Sequence, residues 1–338
     1  MNDSTTHQDK RFASRAEMAA AAIIFLCLYG QYLIGYAPSG GDIVNQYLPY
    51  QELVRNAVRT GHWPLWNALT FCGRPLMGDI QVGVLYPPNW IHWIVPLPLG
   101  FALVLALHGA WMIAGCWKLG RRWGLAPPAI ALGTALYAAS PFFQLKMAQG
   151  IVLFIYVGAW WPWLALAVSR LVERPGFGRM AALAVALLMS LLAGSPQITF
   201  YGWIITSVLG VALPTNDQTV GIKKDLVSRV LWIGLAFVFA AGLSAIQTAQ
   251  TSSFVGSSFE RSAGAPWEYI IDGSFTTRLF WLMLNPGYLG NGADSGYYWG
   301  SRMDFAEVCD YLPLWAPMIL TPLALVWLST LCANLKEN

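Results

Sequence analysis

Long apolar runs separated by shorter polar stretches set the pattern of this chain. A polar start carrying Lys10, Arg11 and Arg15 leads into an apolar run over residues 18–36. Further runs cover residues 97–116, 126–143, 151–168, 180–213, 230–246 and 312–331. A helix needs about twenty apolar residues to cross a hydrocarbon core about 30 Å thick. Most of these runs therefore have the length of one span. The run over 180–213 is too long for one span of ordinary tilt, and Gly194-Ser195-Pro196-Gln197 stands at its centre, where proline interrupts the helical ladder. Two spans joined by a tight turn fit best, with a kinked or re-entrant segment as the alternative. The pattern predicts an all-α polytopic membrane protein, one integral domain over 1–338 with about eight transmembrane helices.

Composition agrees: 56% of the residues are hydrophobic, 11% are charged, and the mean hydropathy is +0.49. About a quarter of a soluble protein is charged, so a water-soluble domain is excluded. The first apolar run is longer than a signal-peptide core and closes on no small-x-small cleavage site, which makes it an uncleaved first span. Of the 20 Lys and Arg, thirteen fall in the segments that this reading places inside, although the outer segments are longer. The positive-inside rule then puts a tail, 1–17, and the C-terminus in the cytoplasm. It leaves two long outer segments, 37–96 and 247–311.

Within the first outer segment, residues 49–59 read as a short amphipathic helix, with Pro49 in its first turn and Gly61 just past its end. Tyr50, Leu53, Val54, Ala57 and Val58 make its apolar face, and Gln51, Glu52, Arg55, Asn56 and Arg59 its polar one. Such a helix can lie in the membrane plane or serve only as packing. Trp63, Trp66, Trp90, Trp93, Trp123, Trp160, Trp161 and Trp163 stand near the expected interfaces, as an aromatic belt does. Cys27, Cys116 and Cys332 read as small core residues, whereas Cys72 and Cys309 fall outside, where a disulfide is chemically allowed.

The candidate chemistry is also on the outer side. Ten of the 17 acidic residues fall there, Asp42, Glu52, Asp79, Glu260, Glu268, Asp272, Asp294, Asp304, Glu307 and Asp310, while the spans carry almost none. A transporter needs ionisable groups or broken helices near the midplane, so this distribution favours chemistry on a membrane-bound substrate. Asp42 sits just beyond the first span, where a carboxylate can deprotonate a hydroxyl, hold a divalent cation, or simply cap a helix. Lys146, Arg261, Arg278 and Arg302 lie at lipid-phosphate depth and offer cations for phosphate oxygens. His108 reads as a buried, hydrogen-bonded histidine, and His62 and His92 lack metal-ligand spacing, so a metal requirement is left open. No P-loop, dinucleotide fingerprint, nucleophile elbow or H-E-x-x-H occurs, and nothing supports nucleic-acid binding.

Several blocks of residues together resemble the bacterial YfhO-like membrane proteins. They are Gly41-Asp42-Ile43-Val44-Asn45-Gln46-Tyr47-Leu48-Pro49-Tyr50, the run Trp63-Pro64-Leu65-Trp66-Asn67, Cys72-Gly73-x-Pro75-Leu76 and Leu85-Tyr86-Pro87. Ala193-Gly194-Ser195-Pro196-Gln197, Ser258-Phe259-Glu260-Arg261-Ser262 and Phe305-Ala306-Glu307-Val308-Cys309-Asp310-Tyr311-Leu312 continue the resemblance along almost the whole chain.

The resemblance implies a GT-C glycosyltransferase of the bacterial inner membrane, with a polyprenyl-phosphate-linked sugar as donor and an envelope glycan or lipid as acceptor. It implies that Asp42 is the essential acidic residue of the first outer loop, with Lys146, Arg261 and Arg302 for the donor phosphate. Gln46, Tyr47, Asp79, Gln197 and Glu307 would support the site or meet the acceptor. Ser195 departs from the family, which often has histidine there. Members also commonly run on beyond this length, as expected if the chain is a natural short form or a truncated one. Two rival readings are a transporter or lipid-handling protein using the Pro196 region as a broken helix, and a non-catalytic membrane partner. The leading reading requires Asp42, Lys146 and Arg261 to converge.

Overall fold

The computed structural model describes residues 3–36, 39–70, 72–213 and 222–257, together with Trp267, Trp281, Tyr288 and Gly290. Helix α1, Asp3–Leu33, runs from the polar start through the first apolar run without a break, so the expected tail is helical from Asp3. A π-helical turn, Ile43–Tyr47, passes directly into α2, Leu48–Arg59. Two short strands follow, β1 (Trp66–Asn67) and β2 (Arg74–Pro75), antiparallel with Trp66 opposite Pro75. Tight 3-10 turns at Ile80–Val82 and Pro87–Trp90 lead to α3, Ile91–Ile94. The remaining helices are α4 (Leu97–Arg122), α5 (Pro127–Ala138), α6 (Pro141–Gln149), α7 (Leu153–Gly158) and α8 (Trp161–Glu173). After them come α9 (Phe177–Leu192), α10 (Pro196–Ala212), α11 (Ile222–Leu243) and α12 (Ala245–Gly256).

The protein is thus all-α but for one two-residue hairpin among the described residues. Four helices there are long and apolar enough to cross a membrane: Arg15–Leu33, Leu97–Arg122, Leu153–Glu173 and Lys224–Leu243. These helices make it a membrane protein. The run over 180–213 forms two helices, as expected, broken where Gly194 takes φ +96° ahead of Pro196. The run over 126–143 does not form one span. Its helix α5 stops at Ala138 after 12 residues, about 18 Å at 1.5 Å per residue, because Pro141 cannot continue the ladder and opens α6 instead. The run over 312–331 lies outside the described residues.

Contact clustering divides the chain into two compact units, Met1–Ala139 with Lys146–Ser262, and Ser140–Leu145 with Ala263–Asn338. In the second, Phe142 and Phe143 meet edge to face at 5.1 Å, and the Trp281 and Tyr288 rings lie 6.1 Å apart. In the first, α4 packs on α1, α5 and α8, while α8, α9, α10 and α11 enclose a core of Leu164, Val168, Leu171, Met180, Leu183, Leu187 and Ala236. Leucine, valine and alanine spaced by three and four residues put one continuous stripe of each helix into that core.

Ion pairs tie the helices together where α4, α8 and α10 finish. Arg121 donates to the buried Glu17, which also accepts from Trp117 Nε1 at 3.1 Å, and Arg122 pairs with Glu173. The buried Arg229 pairs with Asp225 at 2.8 Å and donates to the carbonyls of Gly210 and Leu213, closing the end of α10. These contacts satisfy carbonyls that a helix end leaves open.

Some expected surfaces turn inward. Trp160, Trp161 and Trp163 are half-buried and pack against other helices: Trp163 stacks on Trp111 at 4.0 Å and donates to its carbonyl at 3.0 Å, and Trp160 and Trp161 pad the core of α8 to α11. An indole needs an acceptor for its N–H when it leaves water, and the bundle supplies one to Trp163. Cys27 is exposed on α1, not in the core, whereas Cys116 is half-buried. Cys72 is an exposed free thiol; Cys309 and Cys332 lie outside the described residues.

Candidate functional site

The chain leaving α1 returns to the bundle at Gly40. A β-carbon on Gly40 would lie 2.3 Å from the nitrogen of Gly150, and Gly150 takes φ +85°, so two glycine backbones touch with no room for a side chain. This contact sets the segment holding Asp42 against the turn that closes α6, where Lys146 lies. Asp42 opens the turn Ile43–Tyr47, and its carboxylate makes no capping bond, which removes the helix-cap reading. It has no hydrogen bond or ion pair among the described residues. Lys146 is buried, 6% exposed, with its Nζ 5.7 Å from the Phe154 ring and no anionic partner among the described residues. A buried ammonium without an anion is costly, and none among the described residues offsets it.

Beside Asp42, the buried Tyr47 faces two carboxylates. Burial pushes its hydroxyl above the ordinary phenol value, and the charges of Asp42 and Asp79, then Tyr50, push it further. The two acids differ in their engagement. Asp79 accepts from Arg74 and, at 3.0 Å, from the backbone of Gln81, so it caps the turn Ile80–Val82. Arg74 in turn lies over the Tyr50 and Phe254 rings at 5.1 and 5.5 Å. Gln46 donates to Gln81 at 2.6 Å. A β-carbon on Gly194 would stand 3.0 Å from the carbonyl of Ile80, which seats the α9–α10 turn against the same residues. On the far side, Gln247 of α12 donates to the Met77 carbonyl at 3.0 Å.

Hydroxyls line the interior below. The Tyr156 hydroxyl is buried and has no hydrogen-bond partner among the described residues. Tyr32 donates to the sulfur of Met147 at 2.9 Å, a weak acceptor. Tyr86 is committed. His108 Nδ1 donates to the Val104 carbonyl at 2.7 Å, which leaves Nε2 to accept from the Tyr86 hydroxyl at 2.6 Å, and Trp160 donates to that same oxygen at 2.9 Å. His108 is therefore a satisfied structural histidine. His92 is buried against Phe101 with Nδ1 unpaired, and burial, then the neighbouring His108, push it down to about 4.

Of the expected site residues, Asp42, Gln46, Tyr47 and Asp79 gather in one place, and the Gly40–Gly150 contact brings the turn of Lys146 to it. Gln197 opens α10 but donates to Tyr201 of its own helix at 2.9 Å. Arg261, Arg302 and Glu307 lie outside the described residues. Sequence reasoning did not single out Gln81, Arg74 or Tyr156. An arginine five residues before Asp79 was a usable local signal; the contacts of Gln81 and Tyr156 are long-range and leave none.

Among the described residues the donors form no metal site. Asp79 is occupied by Arg74 and Gln81, and among the described residues no three His, Cys, Asp or Glu gather as a cation needs. The fold and the site define an all-α membrane protein with a carboxylate unengaged among the described residues and a buried ammonium at one end of its helices. Compared with protein-family models, curated proteins and solved structures, the chain matches none.

Proposed function

We propose that the protein is a membrane glycosyltransferase. It would transfer a sugar from a polyprenyl-phosphate-linked donor to a glycan or lipid acceptor of the cell envelope, on the non-cytoplasmic side of the bacterial inner membrane. The carrying observation is the division of labour between the two carboxylates at Tyr47: Asp79 is consumed by Arg74 and Gln81, while Asp42 has no hydrogen bond or ion pair among the described residues. Asp42 takes the proton of the acceptor hydroxyl as its oxygen attacks the anomeric carbon. The bond from that carbon to the phosphate oxygen breaks, and the electron pair leaves with the polyprenyl phosphate. One displacement inverts the anomeric centre. Charge gathers on the departing phosphate, where the Lys146 ammonium supplies a fixed counter-charge. The resemblance to YfhO-like proteins points the same way, and with it come the GT-C architecture of about eight spans, cytoplasmic termini and roles for Arg261, Arg302 and Glu307.

The test is transfer of labelled sugar in proteoliposomes. Asp42→Asn is expected to lower turnover by about 10²–10⁴-fold, the usual range for a general base, with the melting temperature unchanged. Full turnover in that variant would reject the reading.

A further inference from the structure

The hairpin that follows α2 is built inside out. Its small and polar residues, Pro64 and Asn67, are buried, while Trp63, Leu65, Trp66 and Leu69 are 67%, 54%, 60% and 79% exposed. This is not slack loop. Asn67 accepts from the backbone of Leu69 and donates to Thr70, both at 2.9 Å, Gly73 N donates to the Thr70 carbonyl at 2.9 Å, and Leu76 N donates to the Leu65 carbonyl at 2.9 Å. At the base of the hairpin, Leu76 is buried with Tyr50, Val54, Val82 and Val84, with Trp93 packed against them. The four large side chains are held outward by a braced scaffold, an arrangement that costs free energy in water.

Two observations identify what they meet. The membrane surface is at hand, since Trp90 and Ile94, 43% and 78% exposed, stand just before the span that begins at Leu97. The charge also leans to one sign: no Asp or Glu occurs from Thr60 to Gly78, Arg59 and His62 are exposed, and Arg55 and Arg59 have no ion pair among the described residues, against one exposed acid on α2, Glu52, which accepts from Asn56 at 3.2 Å. Tryptophan favours the headgroup level, and unpaired arginines favour anionic phosphates. The α2 helix does not play this part, because its apolar face is spent on Leu76, Val82 and Val84.

We infer that the hairpin tip, Trp63, Leu65, Trp66 and Leu69, inserts into the adjacent lipid leaflet, with Arg55, Arg59 and His62 seated on anionic phospholipid headgroups. The segment beside Asp42 is then fixed to the bilayer at a point separate from the helical spans. This holds whatever reaction the protein performs.

The test uses the full chain without native cysteines, reconstituted in vesicles of phosphatidylethanolamine and phosphatidylglycerol and spin-labelled at Leu69→Cys. The control label is Asn56→Cys on the exposed face of α2, and Leu65→Cys serves if the first variant folds poorly. The ratio of oxygen to nickel-chelate collisions is expected to be several-fold higher at 69 than at 56, and to fall when phosphatidylcholine replaces phosphatidylglycerol. Equal ratios at the two positions would overturn the inference. So would low collision with both reagents at 69, which would mean that protein, such as a second copy, covers the tip. A ratio indifferent to lipid charge would remove the role of the arginines.

Discussion

The two ends of the helical bundle treat charge differently. Where α4, α8 and α10 finish, charges are consumed within the protein: the buried Glu17 by Arg121 and Trp117, the exposed Glu173 by Arg122, and the buried Arg229 by Asp225 and two carbonyls. At the opposite end only Arg74 and Asp79 make such a pair among the described residues, while the Asp42 carboxylate and the buried Lys146 ammonium have no hydrogen-bond or ion-pair partner there. A paired buried charge fixes two helices; an unpaired one lowers stability and survives where something else completes it. Substitutions at the two ends should therefore differ in kind.

The largest loss is expected at the paired end. Arg229→Met keeps most of the side-chain volume but strands Asp225 and reopens the last carbonyls of α10. Removing one partner of a buried pair costs about 3–5 kcal/mol, and the partial exposure of Asp225, 23%, puts this case near the lower bound. Unfolding in detergent micelles measures it. A loss under about 1 kcal/mol would mean that the pair is ornamental and the contrast between the ends is false.

Acid should act on the other end. His92 is neutral because burial lowers it from 6.5 to about 4. Between those values the unfolded chain binds a proton that the folded chain refuses, so stability is full above pH 6.5, falls as the pH drops toward 4, and is flat below. At 1.36 kcal/mol per pH unit the fall is about 3 kcal/mol. His92→Leu should flatten that part of the melting curve against pH, while Arg229→Met leaves its slope intact.

Much of the scaffold was legible along the chain, and the reasons are local. Pro49 and Gly61 bracket α2, and Pro196 after Gly194 breaks the fifth run, because both effects act on the backbone within a turn. The same rule, applied to Pro141, would have cut the third run short. What was not legible depends on contacts far apart in sequence. Gln51 was assigned to the polar face of α2, yet it is buried and donates to the Val82 carbonyl at 2.8 Å. The helix-to-helix contacts of Trp160, Trp161 and Trp163 are likewise invisible in their spacing. Asp42 stood out by position alone; that it is unengaged while Asp79 is not emerges only once Arg74 and Gln81 are placed in space.

A smaller effect comes from the one ion pair at the opposite end among the described residues. Asp79→Asn keeps an acceptor for Gln81 but leaves the Arg74 guanidinium, 16% exposed, without its counter-charge. About 2 kcal/mol is expected, between a neutral hydrogen bond and a fully buried pair. The loss should be much reduced when Arg74→Met is combined with it, since the double variant strands nothing. A double-mutant cycle with no coupling would show that Asp79 is held by its other contacts.

The smallest change in stability, and the sharpest test of the contrast, is Lys146→Met. An ammonium 6% exposed, without an anion among the described residues, is replaced by an apolar chain of similar volume. Desolvation no longer opposes folding, and the ring of Phe154 remains a good neighbour for a thioether. Stability should stay within about 0.5 kcal/mol or rise. Under the proposed function the chemistry should suffer instead: loss of the counter-charge for the departing phosphate lowers kcat/KM by about tenfold or more, with kcat falling, an effect of about 1.4 kcal/mol. Should the variant unfold like Arg229→Met, Lys146 would belong with the paired charges, and the phosphate role assigned to it would have no basis.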